Sequence, residues 1–344
     1  MIFSSNQTHE TPSVLARSFG AVLIFLATIV GISFNLLLLA TILSKRDLRR
    51  NQINIFLSSL IVDTTLAICI AGTSVTFAFS FGRWHGPLLI CKIIDLTILI
   101  FAGSIVWHYA FICLHRYLFL VYTSYRSSIQ LNIRRKYIMF FLVASRFIPF
   151  ITTLPLFIIS DSSVYSQVKL RCEINHDKKF ILTMILIVNS LLPCFMIIFC
   201  FIRTYMRIRS KRSKLLNKKT VIDSSDARII IAKYQNTAIA HSASQLNNLK
   251  SKKILSNRIR QRRSINKMFA LLILLLLLGF MPYRIMRLVF SNRDISPDLL
   301  VIVTVWYSLI SPISPMVIVL VNTDIHEQFK ILFNVMKNKV IKMC

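Results

Sequence analysis

The chain has 344 residues, 55% of them apolar, and a formal net charge of +29. A soluble domain averages about 45–50% apolar residues with glycine included, and here the apolar residues gather into long runs nearly free of charge. With 7 glycines in the whole chain and no inside–outside alternation in those runs, a membrane β-barrel is excluded as well.

Seven runs stand out: 19–43, 53–79, 91–121, 137–159, 180–202, 268–290 and 299–321. Each is near or above the roughly 20 helical residues that cross a bilayer core. The third is the longest and implies a tilted helix that continues past the lipid. Stretches such as ALLILLLLLGFMPY leave no polar face for water, so they are not buried helices of a soluble protein. The expected fold is an all-α membrane protein, a seven-transmembrane helix bundle. Residues 1–18 form an extracellular N-terminus. Residues 19–322 form the bundle, with a flexible cytoplasmic loop at about 206–264. Residues 323–344 form an amphipathic helix and tail. The mostly polar start and the length of the first run argue against a cleavable signal, so that run is expected to remain as span one.

The basic residues set the orientation. Lys45, Arg46, Arg49 and Arg50 follow the first run, and Arg126, Arg134, Arg135 and Lys136 follow the third. The 203–267 loop carries 18 Lys and Arg, and the tail adds Lys330, Lys337, Lys339 and Lys342. The opposite side holds ten. By the positive-inside rule the N-terminus is outside and the C-terminus cytoplasmic. This placement makes the positive charge a membrane signature, not a nucleic-acid footprint. Asn6-Gln7-Thr8 is then a glycosylation sequon on the outer side. Of seven cysteines, Cys69, Cys113, Cys194 and Cys200 lie within runs and Cys344 ends the chain. Cys91 and Cys172 reach the outer, oxidising side. A disulfide between them would pin the 160–179 loop over the bundle mouth; the alternative is free cysteines.

Several motifs recur in order. Span one holds Gly31-Ile-Ser-Phe-Asn35 and span two Leu60-Ile-Val-Asp63. Arg83-Trp84 precedes Cys91, and His115-Arg116-Tyr117 follows it, with Arg116 25 residues on. Span five has Pro193, span six Gly279-Phe280-Met281-Pro282, and span seven Ser314-Pro315-Met316-Val317-Ile318. Asn322 and the amphipathic 324–333 segment follow. In this order and spacing the chain resembles the rhodopsin-like (class A) G-protein-coupled receptors, as a divergent member, over about 19–329. His115 stands where the family keeps an acid, Phe280 where it keeps a tryptophan, and Ser314 and Ile318 where it keeps Asn and Tyr. Span four lacks the usual tryptophan, with Ser145 ten residues before Pro155.

The resemblance implies roles. His115, Arg116, Tyr117, Phe280, Pro282, Ser314 and Pro315 would form the activation switch and G-protein coupling surface. Asp63, with Ser311 and Ser314, would form a sodium pocket, the alternative being a protonated or water-bound aspartate; no other cofactor or metal is expected. Asp95, Ile98, Tyr283, Arg284 and Arg287 are ligand-binding candidates. Ile98 stands where amine receptors keep an aspartate, which disfavours a monoamine. Arg284 and Arg287 share a helix face and could grip an acidic ligand group; the alternative for Arg287 is snorkelling to headgroups. Span seven has no lysine for a retinal Schiff base. Arg146, within run four, has three open readings: snorkelling, pairing inside the bundle, or a misplaced boundary.

The function expected is a receptor, not an enzyme, that passes an extracellular signal to a heterotrimeric G protein. A peptide is the first-choice ligand and a small acidic or lipid-like molecule the second. Arrestin, a receptor kinase and membrane lipids are further partners, and nucleic acid is not one. A transporter or channel is the remaining alternative; no internal repeat or ladder of ionisable groups supports it. Palmitate on Cys344 would sit far from the expected end of the inner helix. With His115 in place of an acid and only basic residues (Arg262, Arg263, Lys267) singled out at the inner end of span six, Arg116 is expected to be weakly restrained and basal signalling raised.

Overall fold

The computed structural model describes residues 12–122, 129–158, 163–166, 170–174, 179–207, 209–210, 264–279, 282, 296–310 and 312–343. Six helices among them are long and apolar enough to cross a membrane, and a seventh, shorter apolar helix covers Ser264–Gly279. The helices are α1 (Val14–Ser44), α2 (Arg46–Arg50), α3 (Gln52–Phe81), α4 (Leu88–Tyr122) and α5 (Ile129–Ile158). A two-stranded antiparallel hairpin follows, β1 (Ser163–Ser166) and β2 (Arg171–Ile174). Then come α6 (Lys179–Leu186), which continues through the span to Arg207, α7 (Ser264–Gly279), α8 (Pro297–Ile310), α9 (Ile313–Val321) and α10 (Thr323–Met343).

Local chemistry explains the ends. Ser13 caps α1, its hydroxyl accepting from the Ala16 N–H, and Asn51 caps α3 by accepting from the Ile53 N–H at 3.1 Å. Gly82 ends α3 in the left-handed region (φ 68°), where a side chain would be strained. Asn322 caps α10, its Oδ1 accepting from the Asp324 N–H at 3.2 Å. The 35 residues of α4 correspond to about 52 Å of rise, well beyond the lipid core.

Prolines shape the interior. Pro193 has no N–H for the preceding turn, and the helix widens into a π segment at Ile187–Leu191 just before it. Pro149 and Pro155 lie inside α5, and Thr153 there bonds the Pro149 carbonyl at 2.7 Å. Span seven is described as α8 to Ile310 and α9 from Ile313, with Pro312 at the start of α9.

The packing is that of a bundle turned outward. Phe195 (71% exposed) and Leu320 (70%) face away from the protein, where lipid tails receive them. Inside, the main core joins Leu38, Phe56, Leu60, Val106, Met268 and Phe269. Gly72 lets α1 and α3 approach: a Cβ there would lie 2.1 Å from Thr28 Oγ1.

Two differences from the sequence reading emerge. The inner helix α10 runs to Met343 instead of stopping at 333, because 334–343 contains no Gly or Pro to end it. Run six is described as a helix to Gly279 and at Pro282; the rest of it lies outside the described residues. The outer loop contains a hairpin, with Tyr165 opposite Cys172. Its turn residue Leu170 (φ 50°, 2% exposed) plugs that end of the bundle, packing with Ala21, Ile24, Phe79 and Val301.

Candidate functional site

Two polar centres lie within the apolar bundle. The first surrounds Asp63, midway along α3 and 1% exposed. Ser104 of α4 donates to its Oδ2 at 2.8 Å. Arg146 of α5 donates to its Oδ1 from both Nε (3.1 Å) and Nη2 (2.9 Å). Nη2 also donates to Ser59 at 2.7 Å. His108 completes the network. Its Nδ1 lies 2.9 Å from the Ser104 carbonyl and 3.4 Å from Asp63 Oδ2. Its Nε2 lies 3.0 Å from the Ser59 hydroxyl and 3.2 Å from that of Ser145. A neutral ring with its proton on Nδ1 suits this setting: Nδ1 donates to the carbonyl and Nε2 accepts from Ser59. The charge of Asp63 is thus matched by a guanidinium and two further groups, as a buried carboxylate requires.

Arg146 therefore pairs inside the bundle, one of the three readings left open by sequence. His108, Ser59 and Ser104 were not recognised as a unit. The available signal was spacing: Ser59 and Asp63, and Ser104 and His108, each stand four apart on their helices, so each pair shares a face.

This arrangement does not fit the expected sodium pocket. Both carboxylate oxygens of Asp63 are engaged by protein donors. Ser311 lies outside the described residues, and Ser314 has an interaction of its own.

The second centre is at the far end of α4. Arg116 Nη1 donates to the Ile265 carbonyl at 3.5 Å, and Nη2 donates to Asn266 Oδ1. Its guanidinium lies 4.7 Å over the Phe269 ring. His115 lies beside Phe56, ring centroids 5.5 Å apart, and Tyr117 meets Phe199 edge-on at 6.3 Å. Ser264 of α7 bonds the Val321 carbonyl, tying α7 to α9 at the same level. Here the sequence reading needs correction. Span six does restrain Arg116, through an amide, a carbonyl and an aromatic face, because neutral acceptors on α7 do what the basic residues nearby cannot.

At the opposite end, Cys91 is buried at the start of α4 and is not among the free thiols Cys69, Cys113 and Cys200. Strand β2, which carries Cys172, packs on α4. Asp95 is buried one turn below Cys91 and Ile98 half-buried below it. Pro282 is exposed and Pro315 buried. Asn6, Phe280, Tyr283, Arg284, Arg287 and Cys344 lie outside the described residues, as does most of the 206–264 loop.

Residues 34–317 match the family model of the 7 transmembrane receptor (rhodopsin family). The chain belongs to that family. The receptor is similar in fold to squid rhodopsin, whose crystal structure superposes with a TM-score of 0.73 at 14% identity, over 96% of this chain and 90% of that one. No curated protein sequence matches it. Membership makes it a multi-pass, non-enzymatic membrane receptor, and the family implies an extracellular ligand and a G-protein partner.

Proposed function

We propose that the receptor lies in the plasma membrane with its N-terminus outside and converts binding of an extracellular peptide into heterotrimeric G-protein activation. The observation that carries this is the Arg116 clasp. Arg116 on α4 is held by Ile265, Asn266 and Phe269 on α7, so separating these helices must break the clasp and free a charged, hydrogen-bonding surface. Ligand binding shifts the bundle toward that separated state. His115, Tyr117, Phe280, Pro282, Ser314 and Pro315 would transmit the same change. Arrestin and a receptor kinase would act on the opened cytoplasmic face.

The outer features belong to the same reading. A Cys91–Cys172 disulfide would hold the hairpin against α4, and Asn6 would carry a glycan. Support comes from the burial of Cys91, its absence from the free thiols and the seating of β2 on α4. The peptide choice rests on Ile98 and on outer loops that carry both charge signs. Asp95, Tyr283, Arg284 and Arg287 are the candidate contacts.

The test is expression in cells with calcium, cAMP and G-protein dissociation readouts. Asn266→Ala and Phe269→Ala should raise ligand-independent coupling, and a peptide panel should yield responses that the Arg284→Ala and Arg287→Ala variants weaken. Normal surface expression without coupling in the wild type or the clasp variants would overturn the reading.

A further inference from the structure

Trp306 stands in an unusual place. Tryptophans of membrane proteins gather at the two interfaces. Trp306 is instead nine residues into the Pro297–Val321 span, about 13 Å from its outer limit at helical rise. The residue is 53% exposed, on the side that lipid tails cover. An indole N–H at that depth needs an acceptor from the protein, because hydrocarbon supplies none.

The acceptor is on span six. Trp306 Nε1 donates to the Leu278 carbonyl at 3.4 Å. That carbonyl is one the helix itself leaves open. A helical carbonyl takes the N–H four residues on, and four residues after Leu278 stands Pro282, which has no N–H. One turn along α8 on the same face, Ile310 packs against Gly279. A Cβ on Gly279 would lie 2.8 Å from Ile310 Cγ2. Spans six and seven are thus fitted together where span six approaches its proline, by one close contact and one hydrogen bond.

The position has leverage over the Arg116 clasp. Asn266, which holds Arg116, is 16 residues before Pro282, about 24 Å at helical rise. Leu278 is four residues before it, about 6 Å. A swing of α7 about Pro282 that carries Asn266 by about 5 Å moves Leu278 roughly a quarter as far, about 1.3 Å. A hydrogen bond that starts at 3.4 Å does not survive that displacement. The contact at Leu278 and the clasp at Asn266 are therefore made together and lost together.

We propose that Trp306 is a positioning residue for span six: its indole N–H substitutes for the amide missing at Pro282 and holds the hinge in the conformation that keeps the Arg116 clasp closed. The bond exists in the closed state and not in the swung one, so it shifts the equilibrium toward the closed state. This inference rests on the reading of that clasp as the resting state of a G-protein-coupled receptor.

The test uses the full-length receptor in phosphatidylcholine nanodiscs, in a Cys69→Ser, Cys344→Ser background, with spin labels at Lys267→Cys on α7 and Arg49→Cys on α2. Trp306→Phe keeps an aromatic ring and removes the N–H. It should enlarge the long-distance population several-fold over the parent. In cells at matched surface expression, basal G-protein dissociation should rise several-fold. Pro282→Ala returns an N–H to the Leu278 carbonyl, so adding Trp306→Phe in that background should produce no further change in the distances. A role for the ring in packing alone would shift the distances equally in both backgrounds. Unchanged distances in Trp306→Phe, or equal shifts with and without Pro282→Ala, would overturn the proposal. A longer distance without raised coupling would uphold the hinge and overturn the G-protein reading instead.

Discussion

Arg146 of α5 holds Asp63 of α3 through two hydrogen bonds to one carboxylate oxygen, 3.1 and 2.9 Å long. The two residues are 83 positions apart. The pair joins spans two and four across the face of span three, and Ser104 and His108 of α4 close the gap between them.

Breaking that pair should destabilise the receptor. Arg146→Leu leaves Asp63 buried without its main counter-charge, a change costing on the order of 3 kcal/mol for buried pairs. Asp63→Asn combined with Arg146→Leu should recover much of the loss. Thermal unfolding of the four detergent-solubilised proteins measures the coupling; strictly additive effects would count against the pair.

Sodium should have little effect on the native protein. Both Asp63 oxygens are engaged, so replacing sodium chloride by choline chloride should leave the melting temperature unchanged. Arg146→Leu should acquire a sodium-dependent rise. A clear sodium effect on the wild type would mean that the ion displaces the guanidinium.

The neutral clasp on Arg116 has a signalling consequence. Asn266→Ala removes a charge-assisted hydrogen bond, worth about 1.5–3 kcal/mol. Basal G-protein dissociation should rise several-fold at matched surface expression. His115→Asp, which adds an acid beside Arg116, should lower it. An unchanged baseline in both variants would disconnect the clasp from activation.

At Gly72, α3 packs directly against Thr28 of α1. An alanine would put its Cβ 2.1 Å from Thr28 Oγ1, and overpacking of this kind typically costs about 1–3 kcal/mol. Gly72→Ala should lower surface expression and thermal stability. Adding Thr28→Ala or Thr28→Gly should restore part of both, and no rescue would place the strain elsewhere.

Much of the fold was legible because its signals are local. Apolar run length marks the spans whatever they pack against. Prolines mark their own irregularities: Pro193 follows the π segment, and Pro312 stands at the start of α9. The site was legible only in part. Asp63 and Arg146 announced themselves as charges in lipid, yet the sequence left open whether they met. Asn266 passed unnoticed beside Lys267 because an amide in a helix has many harmless uses. The hairpin was missed because two four-residue strands carry too little pattern to be told from loop.

By itself the sequence determined a membrane bundle and the family to which it belongs. Those follow from hydropathy and from ordered motifs, each contained within one segment. Only the tertiary structure decided that Arg146 meets Asp63 and that Asn266 meets Arg116, 150 residues away. Such meetings depend on how each helix is rotated and tilted. A nearly all-apolar helix states no preferred rotation toward lipid, so its few polar side chains find their partners only when the helices pack.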